Sequence, residues 1–375
     1  MRPATLTPGR PQSLIRALMR LAQVAQLVEQ RIENPRVVGS IPTLGTISDG
    51  EHTVARPTRR WFRNTLMCYS AMIESSFSRY VRETGAQIDL DQFEEIFGWR
   101  EREPGMRILR AVERWFDEPK APAEQRVAAL IARHNHAQVT KLEQEIFAQR
   151  KRIADAERKL AAKATKAAAN DVRVGTAKVE KALRDLPLYK GTQPTPLDAR
   201  IFSMRYAPII VGVDGKPVVR LARYHLRRPG DSPGEDLAKP GLYNARRDNL
   251  DRYWRKQFGH THALMLMWSF FEWVDRPDGL KTELQFKPQT SQLMYVPCLY
   301  ADWRGEDGTK MPCFAAVTDE PPSEVAAAGH NRCPINLSHD AAMQWLSPEG
   351  KTSEQLQALL DERQRPFYEH RVLAA

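Results

Sequence analysis

Residues 263–273 read ALMLMWSFFEW. On a period of two, Leu264, Leu266, Trp268, Phe270 and Glu272 fall on one face of an extended chain. The run is too short for a membrane span, which needs about 18 or more apolar residues. It reads as a buried strand that carries a carboxylate at its far end. An isolated carboxylate on an apolar face is costly unless it is paired or used.

Outward from this strand the texture repeats. Short apolar runs at 207–213, 218–224, 293–299, 314–318 and 334–337 alternate with turn residues. Asp214-Gly215, between the first two, is a hairpin signal. Helical spacing recurs at about 245–257, 339–346 and 353–362. Pro187, Pro194 and Pro196 mark a linker before this region. The order predicts a mixed α+β fold with a largely antiparallel sheet system and no Gly-rich phosphate loop.

Upstream, residues 120–186 are rich in Ala, Lys, Arg, Glu and Gln and almost free of Gly. Leu142, Ile146, Ile153, Leu160 and Ala167 fall on a heptad seam, with Gln149 and Ala156 between them. The pattern predicts a long helix, or a helical hairpin broken near Asn170-Asp171, inserted at about 105–186. Its alternating charges suit a solvated, self-packing element. Further back, residues 68–71 read as a strand start. Residues 75–84 and 90–97 have helical spacing, with Asp89 as a cap for the second.

Residues 1–66 show no periodicity. They suit a disordered basic tail or, being Arg-rich and acid-poor, a transit peptide. Back-translation points elsewhere. With suitable codons, residues 25–30, AQLVEQ, correspond to GCTCAGTTGGTAGAGCAA, which resembles a tRNA D-arm. Residues 32–34 resemble an anticodon loop, and residues 39–42 a T-arm. The three occur in tRNA order, so the segment reads as a phenylalanine tRNA gene translated by extension, with the true start at Met67. Removal of Met67 would then leave Cys68 as the first residue, with a free amine and a thiol.

The chain has 375 residues and a formal net charge of +10. The first 66 residues carry ten Arg and four Asp or Glu, so about +6 of that charge lies there. The rest is mildly basic, and any surface for a polyanion must be local. The four cysteines, at 68, 298, 313 and 333, have no CxxC spacing, which argues against a zinc site or a disulfide framework. Reduced thiols in a cytoplasm fit best. His260 and His262 could mimic a metal pair but lack a third ligand. No metal or cofactor is expected.

Each candidate residue has a plain structural reading beside a chemical one. Cys68 is a small buried hydrophobe or an N-terminal aminothiol; an amine with pKa near 8 and a thiol near 8.5 are both reactive at neutral pH. Glu272 is a strand-mouth carboxylate paired with Arg or a general acid/base. His330 is a hydrogen-bonded loop residue or a proton-transfer group. Asn244 is the N-cap of the helix expected at 245–257 or a positioning group. Arg246 would sit in the first turn of that helix, where a cation opposes the dipole, which suggests a phosphate partner. Arg247 and Arg332 extend that patch, and Tyr224 could stack on a base.

Five segments in order carry a resemblance: Met67-Cys68-Tyr69-Ser70-Ala71, Met204-Arg205-Tyr206-Ala207-Pro208, Asn244-Ala245-Arg246, Phe270-Phe271-Glu272-Trp273 and His330-Asn331-Arg332-Cys333-Pro334. Together they resemble the SOS response-associated peptidase family in a long variant. The family's Trp-rich segment is missing, with residues 220–228, RLARYHLRR, in its place, and Asp248 stands where Glu is usual.

The resemblance implies a barrel-like α+β domain over 67–375 and a DNA-repair role. It implies covalent capture of abasic sites in single-stranded DNA as a thiazolidine on Cys68, with Asn244, Glu272 and His330 as the other catalytic residues. A monomer in the cytoplasm, at the nucleoid and not at a membrane, is expected. Two alternatives stand beside this reading: a self-processing cysteine peptidase and a non-catalytic single-strand-binding protein.

Overall fold

The computed structural model describes residues 70–373, apart from Pro104, Thr192 and Pro277. The expectations for Cys68 and for residues 1–66 lie outside the described residues.

The stretch at 263–273 lies within the longest strand, β7 (His262–Asp275). Its first half closes a five-stranded ring. In chain order the other members are β4 (Tyr206–Val213), β5 (Lys216–Tyr224), β9 (Met294–Arg304) and β10 (Lys310–Asp319). Around the ring, β4 pairs antiparallel with β5 and with β7, β7 with β9, and β9 with β10. The ring closes through a short parallel pairing of β5 with β10, Cys313 opposite Arg223 and Phe314 opposite Tyr224. Closure leaves the ring without an open edge. Asp214 and Gly215 join β4 to β5 with φ of 49° and 74°, the left-handed pair that a two-residue hairpin needs.

Two ring strands run past the barrel and carry secondary sheets. The second half of β7 pairs with β1 (Ser70–Ile73) and β8 (Lys281–Pro288), which pair outward with β3 (Arg200–Phe202) and β12 (Tyr368–Val372). The end of β10 is flanked by β6 (Asn244–Arg246) and β11 (Cys333–Pro334). A short β2 (Gln87–Ile88) lies parallel to β5. The fold is α+β, as the sequence predicts.

Helices cover this frame: α1 (Phe77–Thr84) and α2 (Leu90–Trp99). Asp89 caps α2 by accepting from Gln92 N at 3.1 Å, as expected. The insertion is a hairpin of α3 (Pro122–Ala162) and α4 (Lys166–Asp185). It turns at 163–165 rather than at Asn170-Asp171. Thr165 supplies the cap there, accepting from Ala168 N at 3.2 Å. Asp171 instead lies inside α4 and pairs across the hairpin with Arg152 at 2.6 Å. Ala168, not Ala167, is the buried residue. Leu109, Val112 and Phe116, ahead of the hairpin, join the main core together with Val127 and Ile131 of α3. Near the C-terminus are α5 (Ser323–Ala327), α6 (His339–Trp345) and α7 (Ser353–Asp361).

The helix expected at 245–257 does not form. Asn244, Ala245 and Arg246 instead pair with the edge of β10, and a single 3-10 turn at Arg247–Asn249 leads into successive turns. Leu250, Trp254 and Phe258 are buried at four-residue spacing. That spacing mimics a helix in sequence, and Phe258 N does donate to the Trp254 carbonyl at 2.9 Å. The edge of β10 beyond its pairing with β5 captures the segment's start.

Candidate active site

Glu272 and His330, far apart in sequence, meet at the end of β7. The carboxylate is 3% exposed and the imidazole 7%. Glu272 Oε2 lies 3.0 Å from His330 Nε2. Local chain geometry brings His330 there. Helix α5 ends in paired turns, His330 N donating to the Val325 carbonyl and Gly329 N to the Ala326 carbonyl, with Gly329 at φ 95°. This double cap needs a left-handed residue, which Gly supplies. A Cβ on Gly329 would touch Val274, two residues beyond Glu272. The glycine thus lets the loop lie close against β7. His330 Nδ1 faces the Arg332 backbone, 2.9 Å from its carbonyl oxygen and 3.3 Å from its nitrogen, which leaves Nε2 facing the carboxylate.

Burial pushes the Glu272 carboxyl up, against the opposing pull of His330 and Arg332. Burial alone would lower His330, but the contact with Glu272 and its charge outweigh that and raise it. The pair therefore holds one proton more tightly than either group would in water. Such a pair has the chemistry to give or take a proton.

Asn244 sits on β6, opposite Ala316 of β10. Its Oδ1 is buried without a hydrogen-bond partner among the described residues. Thr318, two residues along β10 on the same face, has a buried Oγ1 in the same state. Two orphaned oxygens cost about 1–3 kcal/mol each, which suits acceptors waiting for a ligand. Thr318 was not singled out from sequence; only the three-strand packing of β6, β10 and β11 marks it. Among the described residues, no hydrogen bond or ion pair joins Asn244 to the Glu272–His330 pair.

The remaining candidates divide. Arg246 is partly exposed and pairs with Asp248 at 3.1 Å. Arg247 is held by Asp361 at 2.6 Å and Asp319 at 3.4 Å, so its charge is taken up inside the protein. Arg332 is half-buried beside the pair and acts on its charge. Tyr224 is fully buried and stacks on Phe314 at 5.0 Å. It is a core residue and cannot stack on a base from there. Trp273, next to Glu272 along β7 and on the opposite face by strand alternation, is 39% exposed. His262 is a structural residue. It is buried, stacks on Trp345 at 3.8 Å and bonds to the Trp345 carbonyl. Burial pushes it down to about 3. Among the described residues no cluster could hold a metal ion, and no helix is long and apolar enough to cross a membrane.

The three described cysteines, Cys298, Cys313 and Cys333, are buried and free. Burial pushes all three thiols up, Cys313 to about 12. A protonated, enclosed thiol is a poor nucleophile. Of the four cysteines, Cys68 is left as the candidate nucleophile.

A closed mixed barrel with a buried carboxylate–imidazole pair at one strand end defines an α+β protein with a candidate acid–base site. Residues 176–374 match the profile of the SOS response associated peptidase (SRAP) family. The chain belongs to that family. It is 32% identical over 92 residues to abasic site processing protein YoaM of Bacillus subtilis (strain 168), 24% of this chain and 40% of that one. It is 28% identical over 121 residues to abasic site processing protein YobE of the same organism, 32% of this chain and 55% of that one. The chain thus spans about half the length of the curated relatives it matches. Among solved structures, a protein from Bacteroides thetaiotaomicron aligns with TM-score 0.41 at 17% identity, over 47% of this chain and 78% of that one.

Proposed function

We propose that this protein captures abasic sites in single-stranded DNA through Cys68 as the first residue of the working chain. The observation that carries the proposal is the buried Glu272–His330 pair beside the start of β1. Ser70 lies opposite Phe271, the neighbour of Glu272, and Cys68 precedes Ser70 by two residues. The relatives' names, abasic site processing proteins, point to the substrate.

The chemistry balances with the loss of one water. The Cys68 amine adds to the aldehyde carbon of the ring-opened sugar, and the carbinolamine loses its hydroxyl as water to give an imine. The thiol then adds across the imine, sulfur to carbon and proton to nitrogen, closing a thiazolidine. Protonated Glu272 is suited to delivering the proton that departs with water, and His330 to relaying it. Asn244 Oδ1 and Thr318 Oγ1 offer acceptors for the sugar hydroxyls, and Trp273 offers a face for a neighbouring base. Arg246 and Arg332 supply positive charge for phosphates. No membrane, metal or cofactor enters this reading, and a cytoplasmic, nucleoid-associated monomer suits it.

The test is a denaturing gel with abasic single-stranded DNA. Wild type should give a heat-stable adduct, and Cys68→Ala should give none. An equal adduct from Cys68→Ala would refute the mechanism. The family's name includes peptidase, so self-processing is the second reading. Intact-mass measurement separates the two: cleavage between Met67 and Cys68 by the purified full chain, lost in Glu272→Gln, would favour it.

A further inference from the structure

The chain bends sharply between β3 and β4. Met204 takes a φ of 71°, a region that non-glycine residues avoid at a cost of order 1–3 kcal/mol. The bend is held by Met204 N donating to the Tyr224 carbonyl at 2.9 Å and Arg205 N to the Phe202 carbonyl at 3.2 Å. It sets Arg205 beside Arg107. Tyr206 N donates to the Arg107 carbonyl at 2.8 Å, and Ile108 bridges Tyr206 in parallel.

These two guanidinium groups line a pocket of about 110 Å³. The pocket's carboxylates are taken up by other arginines: Glu113 by Arg100 at 2.6 Å and Arg110 at 2.7 Å, which also line the pocket, and Asp198 by Arg114 at 3.3 Å. Among the described residues, neither Arg107 nor Arg205 has a carboxylate at ion-pair distance; Arg205 lies over the Phe202 ring at 4.5 Å. Burial, then the charges of Arg107 and Arg200, push the Arg205 guanidinium below its ordinary value. Two neighbouring like charges repel unless an anion lies between them. The volume suits one anionic group rather than a whole drug-sized ligand, which takes about 300 Å³ or more.

The rim is apolar. Leu188 and Leu197, which line it, are 44% and 60% exposed. The half-buried Tyr189 acts on the Arg205 charge. Leu188 and Tyr189 come from the helical turn that follows α4, so the return of the hairpin supplies one wall. Phe202, which lies under Arg205, is two strand pairings from Phe271 of β7, through Ser70.

We propose that this pocket is a second contact for single-stranded DNA outside the reaction site, with Arg107 and Arg205 clamping one phosphate while Tyr189 and the exposed apolar rim carry the adjoining base. The inference rests on the single-strand reading above. Cations set among apolar and aromatic side chains match a strand whose base faces are open; a duplex keeps those faces stacked.

The experiment measures binding of single-stranded DNA without an abasic site, by fluorescence anisotropy across a salt series. Arg107→Gln/Arg205→Gln should weaken affinity about tenfold or more and make the salt slope shallower by about 0.7, the value for one phosphate on a single strand. Arg107→Lys/Arg205→Lys should keep most of the slope. Tyr189→Ala should weaken binding with the slope unchanged. Arg126→Gln/Arg133→Gln, whose arginines pair with Glu94 and Glu101, should match wild type. A folded double Gln variant with unchanged affinity and slope would overturn the proposal while leaving abasic capture by wild type intact. A wild type that binds no single strand would overturn both readings. Displacement by a glutamate-rich peptide but not by competitor DNA would also refute it, since the occupant would then be protein.

Discussion

A buried carboxyl and imidazole 3.0 Å apart, each drawn toward its protonated form, make both reaction rate and stability depend on pH. Glu272→Gln keeps the shape of the side chain but cannot transfer a proton. The variant should still bind single-stranded DNA, with adduct formation slowed roughly 100- to 10,000-fold. The lower end is expected because a free amine condenses with aldehydes unaided. Time courses on a denaturing gel measure this, and an unchanged rate would remove Glu272 from the mechanism. Stability gives an independent reading. Both groups are raised above their ordinary values of 4.5 and 6.5, so the folded chain holds protons that the unfolded chain has released. The stabilisation is present at low pH and is lost as pH rises, above about 4.5 for Glu272 and above about 6.5 for His330. The slope cannot exceed about 1.4 kcal/mol per pH unit for one proton. Thermal melting of wild type should decline across this window and that of Glu272→Gln should decline less; matching profiles would contradict the tight proton. At this scale Glu272 was legible because a charge on an apolar alternating face needs a partner. Tyr224 misled because a strand of mixed Arg and aromatic residues, 220–224, looks like a nucleic-acid surface, whereas the pairing of β5 with β10 buries its end.

The helical hairpin shows how far an element can be read alone. Its composition and heptad spacing mark two long helices, yet the turn lies at 163–165, where Thr165 provides a cap. Asn170 and Asp171 are weaker breakers once Asp171 has Arg152 to pair with. The missing helix at 245–257 teaches the opposite lesson. Four-residue spacing of Leu250, Trp254 and Phe258 is real burial, but a neighbouring strand edge decides the backbone of residues 244–246. Between the helices, Gly175 of α4 faces Ile153 of α3 so closely that a Cβ would lie 2.7 Å from the Ile153 Cγ1. Gly costs about 1 kcal/mol inside a helix, and this close approach explains its presence. Gly175→Leu should pry the helices apart. Hydrogen exchange should quicken across 140–182 while β4 and β9 keep their protection, because the barrel core does not depend on the hairpin's outer length. Equal loss of protection in barrel and hairpin would show that they unfold as one unit.

At the scale of the whole molecule, the individual strands were legible but the closed ring was not. Closure depends on a parallel contact of only two residue pairs, β5 with β10, and no local pattern signals it. The extension of β7 beyond the ring matters more for function. One continuous strand carries the barrel wall at Leu264 and the carboxylate at Glu272, and β1 begins beside it, with Ser70 opposite Phe271. That arrangement makes the state of Cys68 decisive. An amide nitrogen cannot condense with an aldehyde, so a Cys68 still joined to Met67 forms neither imine nor thiazolidine. A chain translated from Met67, with its initiator removed, should capture abasic DNA and keep the melting temperature of the full chain. The full chain from Met1, if it remains intact, should bind DNA without forming a heat-stable adduct. Intact mass identifies the first residue of each preparation, and the gel reads the adduct. A full chain of unprocessed mass that crosslinks as fast as the shorter one would rule out the N-terminal amine, whatever Cys68→Ala shows.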